Sequence, residues 1–489
     1  MMAAVVAAMT LGELLGPAAG PHAAIRVTDL VSDSQAVTPG AAFVALAGQR
    51  HHGLEFAGAA LQAGAGVVLY EPDGNAVPSL PGPMVAVPGL RAELGNLGRR
   101  FFGRPNPPDG LIGVTGTNGK TTVAWLVAQG LTALGEPCGY LGTIGYGRTD
   151  SLRRQALTTP DCLSLHRTLA EIGLGRTALE VSSHALSQDR IAGLGFATAV
   201  FTNLSHDHLD WHGTMADYFD AKSRLFSRDG LEVAVVNVDD AYGRTLLGRL
   251  TPGTRVIATS TASGSSADLT ARTESRGLSG LKLSIASDGG QATIESCLIG
   301  DFNAENLLLA AGVLVAHGHD IQAAASVLGD AAPAPGRMEV FGGASEQPWI
   351  VVDYAHTPDA LDRVLSFVAP LGPVTCVFGC GGERDRQKRA AMGSAAAAHA
   401  GKLVLTDDNP RAEDPAAIVA DIRSGIPAGT DVRVEHDREL AIRQAIAGSA
   451  RGDIVLIAGK GHETRQLVGN AVREFDDRAV VERALGSAS

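Results

Sequence analysis

Short apolar runs alternate with longer stretches in which apolar positions recur at helical spacing, a pattern that predicts strands alternating with helices. Near the middle, Leu111 to Val114 reads as a buried strand, and Thr122 to Leu134 as a helix that stops at Gly135. Arg176 to Glu180 and Ala197 to Phe201 are further strand candidates, each running into polar residues. The N-terminal part carries strand-like runs at Ala42–Leu46 and Gly66–Tyr70. The C-terminal part has them at Ile350–Asp353, Val374–Phe378, Leu403–Leu405 and Ile454–Ile457. Two Pro-rich stretches punctuate the chain: Arg104-Pro-Asn-Pro-Pro108 reads as a linker, and Ala331-Ala-Pro-Ala-Pro-Gly336 as a hinge. The pattern predicts an α/β protein of three domains, residues 1–106, 107–333 and 334–489, with a doubly wound sheet in the central one and a second α/β sheet after it. Its 489 residues suit that count at roughly 100–200 per domain.

Composition narrows the function classes. With 40 basic and 52 acidic side chains the net charge is −12, which argues against general nucleic-acid or anionic-membrane binding. No apolar run is long enough to cross a bilayer. The Ala-rich start, Met1 to Gly20, lacks a basic region and is interrupted by Glu13, unlike a secretory signal. Five scattered cysteines with no C-x-x-C pair argue against a disulfide framework or zinc site, and for the cytoplasm.

The strongest chemical signal is Gly113-Val-Thr-Gly116-Thr117-Asn118-Gly119-Lys120-Thr121-Thr122, set between the predicted strand and helix. Glycines there let backbone N–H groups converge on phosphate oxygens at a helix N-terminus. Lys120 would meet the β- and γ-phosphates of a nucleotide and Thr121 a Mg2+ ion. The loop is a variant, because G-x-x-x-x-G-K-S/T requires glycine where this chain has Val114. Glu180 and His208, at the ends of later strands, are plausible Mg2+ ligands, although imidazole is an uncommon partner for so hard a cation. Without the loop they read as a capping carboxylate and a surface histidine. Lys222 lies in a helical pattern, where a lone lysine is ordinarily a solvated charge. Gly379-Cys-Gly381-Gly382 lacks the third glycine of a dinucleotide fingerprint.

The loop resembles that of the Mur ligases, which build the peptide of the bacterial cell wall; related loops occur in folylpolyglutamate synthases. The order of further motifs is more specific. Thr158-Thr159-Pro160, Glu180-Val-Ser182-Ser183-His184, Gln188-Asp-Arg190, His206-Asp-His208-Leu-Asp210-Trp-His212 and Tyr218-Phe-Asp-Ala-Lys222 follow one another as in the tripeptide-forming Mur ligases. The resemblance implies a central P-loop ATPase-like sheet, an N-terminal domain for a uridine diphosphate sugar and a Rossmann-like C-terminal domain. It also implies that Ser34, Thr158, Thr159, Ser182, Gln188 and Arg190 contact a UDP-N-acetylmuramoyl dipeptide, with Leu157 where an asparagine is usual. Asn303 would lie by the adenine, Arg337 would reach the phosphates and Asp353 would face the ATP. Lys222 would carry a CO2-derived carbamate and join Thr121, Glu180 and His208 around Mg2+.

Arg384, the run Asp408-Asn409-Pro410-Arg411, and Gly459-Lys-Gly461-His-Glu463 look like strand-to-helix loops. They offer guanidinium groups for carboxylates and a carboxylate for an ammonium, the set needed by a zwitterionic amino acid with a charged end. By the resemblance, Asp-Asn-Pro-Arg implies meso-diaminopimelate as the added amino acid. Lysine addition, a folylpolyglutamate-type ligase and an ATP-binding protein without ligase activity are the alternatives.

Overall fold

The computed structural model describes residues 8–48, 51–72, 77–103, 110–228, 230–344 and 347–486. The expected linker, Arg104 to Pro108, lies outside the described residues, as does the start of the chain before Ala8. The chain divides into two compact units, Met1–Ala258 and Thr259–Ser489.

In the first unit, five parallel strands stand in the order Cys138–Gly142, Arg176–Glu180, Leu111–Thr115, Thr198–Phe201 and Val233–Asn237. Leu111–Thr115 is first in sequence yet central in the sheet, so the winding reverses beside it and its C-terminal end is a topological switch point, the usual ligand position in such sheets. The strand is buried throughout, and the helix Lys120–Ala133 that follows it is apolar on nearly every face. Continuous burial explains why both read so clearly in the sequence. A smaller parallel sheet, Leu30–Val31, Ala42–Ala45, Val67–Tyr70 and Met84–Ala86, forms the N-terminal part. Arg167 ties it to the helix Cys162–Ile172 by donating to Asp29 Oδ1 at 2.7 Å and to the Leu30 carbonyl at 3.0 Å.

The second unit opens with the end of the strand Arg255–Ser260 and an antiparallel meander, Leu269–Gly277, Gly280–Ser287 and Gly290–Ser296. These three strands depart from the expected strand–helix alternation. Their sequences alternate polar with small or apolar residues, and only one face is buried, as antiparallel strands allow. After the helices Asp301–Ala316 and Ile321–Gly329 comes a six-stranded sheet in the order Glu339–Gly342, Trp349–Asp353, Ile454–Ala458, Val374–Phe378, Lys402–Leu405 and Asp431–Val434. All but the first are parallel. The expected strands are therefore present, with ends shifted by a residue or so. Four of them deliver Asp353, Gly379–Gly382, Asp408–Arg411 and Gly459–Glu463 at one edge of the sheet.

The final helix, Asp477–Gly486, is held by an ion pair with no solvent exposure at either end. Arg438 Nε and Nη2 donate to the two Asp477 oxygens at 2.7 and 2.8 Å, and Nη2 also reaches the Ala458 carbonyl at 3.0 Å. Asp477→Ala strands a buried guanidinium, so it should cost about 3–5 kcal/mol, while Arg438→Met with Asp477→Leu should cost much less. Hydrogen exchange of the Ile454–Ala458 amides checks this; equal loss in both variants would refute it.

Candidate active site

The phosphate-type loop is shaped by its glycines. Gly116 has φ 148° and Gly119 φ 85°, and a Cβ on Gly116 would lie 1.9 Å from Thr202 Oγ1. No L side chain fits there. Asn203, two residues beyond the strand Thr198–Phe201, holds the loop from the side: its carbonyl accepts the Thr117 N–H at 2.8 Å and its Oδ1 the Asn118 N–H at 3.0 Å. Gly119 is the N-cap of the helix Lys120–Ala133, with no side chain capping it. This leaves the positive end of the dipole facing the loop.

Two lysines meet at one carbonyl. Lys120 Nζ donates to Gly116 O at 3.0 Å and Thr117 O at 2.9 Å, and Lys222 Nζ donates to the same Gly116 O at 2.7 Å. Lys222 is 1% exposed, so the expectation of a solvated surface lysine is excluded. It sits in the helix Met215–Ser223, with Nζ 4.5 Å above the Tyr218 ring. Burial first, and then the Lys120 charge, push its amine well below the ordinary lysine range, which favours the neutral, nucleophilic form.

Glu180 is fully buried at the end of its strand and accepts four hydrogen bonds. Thr121 Oγ1 donates to Oε2 at 2.9 Å, Thr143 N to Oε1 at 2.8 Å and Thr143 Oγ1 to Oε2 at 3.1 Å, with the Tyr140 hydroxyl also on Oε1. Gly142 has to be glycine, since a Cβ would fall 2.1 Å from Glu180 Oε1. Nothing local in the sequence distinguishes Tyr140 or Thr143 as partners of Glu180. Among the described residues no three His, Cys, Asp or Glu side chains converge on a metal position. Thr121 Oγ1 and Glu180 Oε2 nonetheless lie side by side, and with the Thr121 hydroxyl turned from the carboxylate they are the kind of oxygen donors that hold Mg2+ together with substrate phosphates and water.

His208 has φ 52° and lies outside that hydrogen-bonded pair. Its ring packs 4.9 Å from His184 and 6.1 Å from Tyr218. Burial, chiefly, lowers its pKa, with Lys120 and Lys222 adding to the effect. His184 is pushed down to about 4 by burial and by the neighbouring His208 and His212.

A second cluster adjoins Glu180. Thr158 Oγ1 is 3.1 Å from Thr143 Oγ1, and Thr159 Oγ1 donates to the Glu180 carbonyl at 2.7 Å. Ser182 N donates to Thr159 Oγ1 at 3.1 Å, and Ser182 caps the helix Ser183–Ser187. Arg190 bridges Gln188 Oε1, at 2.9 and 2.7 Å, and the Thr159 carbonyl, at 2.8 Å. The contiguous Leu157 is half exposed. Ser34 lies in the N-terminal part, opening a short 3-10 turn capped by Asp33.

In the second unit, Asn303 and Asn306 are buried and joined: Asn303 Nδ2 donates to Ile299 O at 2.6 Å, and Asn306 Nδ2 to Asn303 Oδ1 at 2.9 Å. Asp353 accepts the Met338 and Ala355 N–H groups, each at 2.8 Å, while burial raises its pKa against the lowering effect of Arg337. The Arg337 guanidinium lies 4.4 Å above the Tyr354 ring.

The structure also joins the residues expected to hold an amino acid. Asn409 Nδ2 donates to Glu463 Oε2 at 2.8 Å, and Arg411 Nη1 to the Gly382 carbonyl at 2.8 Å. Pro410 O packs so closely that a Cβ on Gly382 would lie 1.9 Å from it, and a Cβ on Gly459 would lie 2.8 Å from Asp408 Oδ2. Arg384 lies against the same turn, its Cγ 3.7 Å from where a Gly381 Cβ would be. Arg389, fully buried, pairs with Glu413 at 2.7 and 2.8 Å and with Asp421 at 2.9 Å, and Glu413 in turn accepts the Glu383 N–H at 3.0 Å. That pairing holds the Glu413 carboxyl down at about 2.

Known proteins carry the same plan. Three family models match: "Mur ligase family, catalytic domain" over residues 26–101, "Mur ligase middle domain" over 114–314 and "Mur ligase, glutamate ligase domain" over 336–461. The UDP-N-acetylmuramoyl-L-alanyl-D-glutamate--2,6-diaminopimelate ligase of Xanthomonas campestris pv. campestris (strain 8004) is 47% identical, spanning 98% of this chain and 97% of the relative. That of Alkalilimnicola ehrlichii (strain ATCC BAA-1101 / DSM 17681 / MLHE-1) is 46% identical over 94% of this chain and 95% of its own. A solved structure bearing the same enzyme name superposes with a TM-score of 0.69 at 35% identity and covers 99% of both chains. Family models spread along most of the chain, together with near full-length relatives at this identity, place this chain in the Mur ligase family.

Proposed function

We propose that this chain is an ATP-dependent, ADP-forming ligase that adds meso-diaminopimelate to UDP-N-acetylmuramoyl-L-alanyl-D-glutamate in peptidoglycan precursor synthesis. The observation that carries this reading is the meeting of Lys120 and buried Lys222 at the Gly116 carbonyl, beside a Thr121–Glu180 pair. A loop that merely turned the chain has no use for a buried amine next to a second cation, since each lysine raises the cost of charging the other. Three domains, 1–106 for the UDP sugar, 107–333 for ATP and 334–489 for the amino acid, are the division of labour that fits it.

A carboxylate oxygen of the bound dipeptide attacks the γ-phosphorus of ATP, the bond to the bridging oxygen breaks, and ADP leaves. Lys120 exchanges its loop carbonyls for phosphate oxygens and offsets charge as they crowd together. The incoming amine then attacks the acyl phosphate carbon, phosphate leaves and the amine loses a proton. No covalent enzyme nucleophile is needed. Mg2+, when bound, neutralises phosphate charge, and Thr121, Glu180, His208 and a carbamate on Lys222 would hold it. Thr158, Thr159, Ser182, Gln188, Arg190 and Ser34 are assigned to the nucleotide dipeptide; Asn303, Arg337 and Asp353 to ATP. Arg384, Asp408, Asn409, Pro410, Arg411, Gly459 and Glu463 are assigned to the amino acid. A cytoplasmic location suits the use of ATP and the five free cysteines. No helix among the described residues is long and apolar enough to cross a membrane.

The test is incubation with ATP, Mg2+ and the nucleotide dipeptide, offering diaminopimelate or lysine, with mass analysis of the product. A diaminopimelate tripeptide and stoichiometric ADP are expected; ATP turnover indifferent to the dipeptide would overturn the reading. Lys222→Ala should lose about 10²–10³-fold in rate, the scale of one removed electrostatic element at a transferring group. A short carboxylic acid should partly restore it by taking the place of the carbamate. Unchanged activity of the variant in CO2-free buffer would reduce Lys222 to a packing residue.

A further inference from the structure

The sequence motif Gly459-Lys460-Gly461 places a lysine where none of the assignments above uses it. Lys460 has no solvent exposure. An ammonium has three N–H donors, and all three are taken: Asn409 Oδ1 at 3.2 Å, Glu463 Oε2 at 3.1 Å and the Arg465 carbonyl at 2.7 Å. No donor remains for a ligand, so the side chain acts on its three acceptors. They lie on two pieces of chain, the Asn409 segment and the loop through Glu463 and Arg465 that follows Lys460 itself, and two of them are residues assigned to the amino acid.

The flanking glycines force this placement. Gly459 has φ 114°, and Gly461 has φ 52° with its Cβ position 2.6 Å from Gly336 O, so the backbone can pass here only without side chains on either side. The lysine is thereby driven under the loop. From there the network extends. Asn409 Oδ1 also accepts the Leu467 N–H at 3.0 Å, Leu467 O accepts the Arg411 N–H at 3.0 Å, and Arg411 O accepts the Gly469 N–H at 2.6 Å. The hairpin Arg465–Val468 with Ala471–Glu474 is thus clamped to the segment bearing Asn409 and Arg411. Glu463 Oε2 is occupied by both Asn409 and Lys460, while its side chain stays 33% exposed. The carboxylate is fixed by one oxygen and presents the other.

We infer that Lys460 is a positioning residue that sets the separation between Glu463 and Arg411, and thereby the length of amino acid the site accepts. An amino acid with an ammonium for Glu463 and a far carboxylate for Arg411 is selected by that spacing. The inference rests on the proposed ligase activity. Substituting Lys460→Met keeps the volume and removes the charge and all three donors.

In Lys460→Met the KM for diaminopimelate should rise about 10–10²-fold, the scale on which losing a hydrogen bond to a charged group weakens binding. KM for ATP, KM for the nucleotide dipeptide, and kcat at saturating amino acid should stay within roughly threefold, and the preference for diaminopimelate over lysine should narrow. A protein damaged as a whole would lose all of these together. A diaminopimelate KM within threefold of the parent, or an ATP KM rising in parallel, overturns the inference. Lys460→Gln, which keeps amide donors, is the second variant should the methionine form not fold; failure of both to fold makes Lys460 a folding element and also overturns it. A parent that ligates neither amino acid overturns the functional reading itself, whereas an active parent with an unaltered Lys460→Met overturns this inference alone.

Discussion

Replacing Lys120 by alanine is expected to cut kcat/KM by about 10³–10⁵, the range seen when a cation is withdrawn from a transferring phosphoryl group. The fold should survive. Lys120 opens the helix Lys120–Ala133, where alanine is at least as good a helix former, and its two acceptors are carbonyls of the loop just before it. Gly116 O keeps Lys222 as a donor. The loss should therefore fall on phosphate release and ligation alike, with unfolding behaviour close to that of the parent. Turnover within tenfold of the parent would remove the phosphate loop from the mechanism.

The strand, loop and helix around Lys120 were legible because their signals are local: a buried apolar run, glycines at fixed offsets and an apolar helix, all within a short stretch. The parallel strands of the second unit were legible for the same reason, since burial on both faces writes itself as continuous apolar sequence. The antiparallel strands between Leu269 and Ser296 were not, because one exposed face fills them with Thr, Glu, Arg and Ser, which read as loop.

Within the site, long-range contacts decide what a residue does. Lys222 looks like a surface charge in its helix, and only the Gly116 carbonyl and the Tyr218 ring, brought in by folding, bury it. Lys460 is a still plainer case: lysine is among the residues least often buried, and nothing near it in sequence announces that distant Asn409 joins Glu463 and Arg465 in holding its ammonium. Tyr140 and Thr143, which donate to Glu180, carry no motif at all. Motif order, by contrast, picks out Glu180, Thr159 and Asn409, and the structure adds the hydrogen bonds that tie each to its neighbours.

The second large effect concerns the choice of amino acid and rests on Arg411. This residue has φ 53°, a left-handed conformation unusual for anything but glycine, asparagine or aspartate. It is held there by backbone bonds to Leu467 and Gly469, and its Nη1 is steered by the Gly382 carbonyl at 2.8 Å. Gly381 makes room: a Cβ there would be 3.1 Å from Nη1. So much constraint on one guanidinium leaves its remaining N–H groups in a fixed fork, suited to a carboxylate. Diaminopimelate differs from lysine by one carboxylate at the far end, so lysine would leave that fork unpaired. A site built around a polar group commonly rejects an analogue lacking it by about 10⁴-fold or more. The parent should therefore prefer diaminopimelate by that order in kcat/KM. Arg411→Ala should lose most of its diaminopimelate incorporation with a much smaller change for lysine, and because alanine keeps the same Cβ, the backbone strain is unaltered. Parallel kinetics with both amino acids decide the matter: equal use of lysine by the parent, or an equal fall for both substrates in the variant, would mean that Arg411 does not select the substrate.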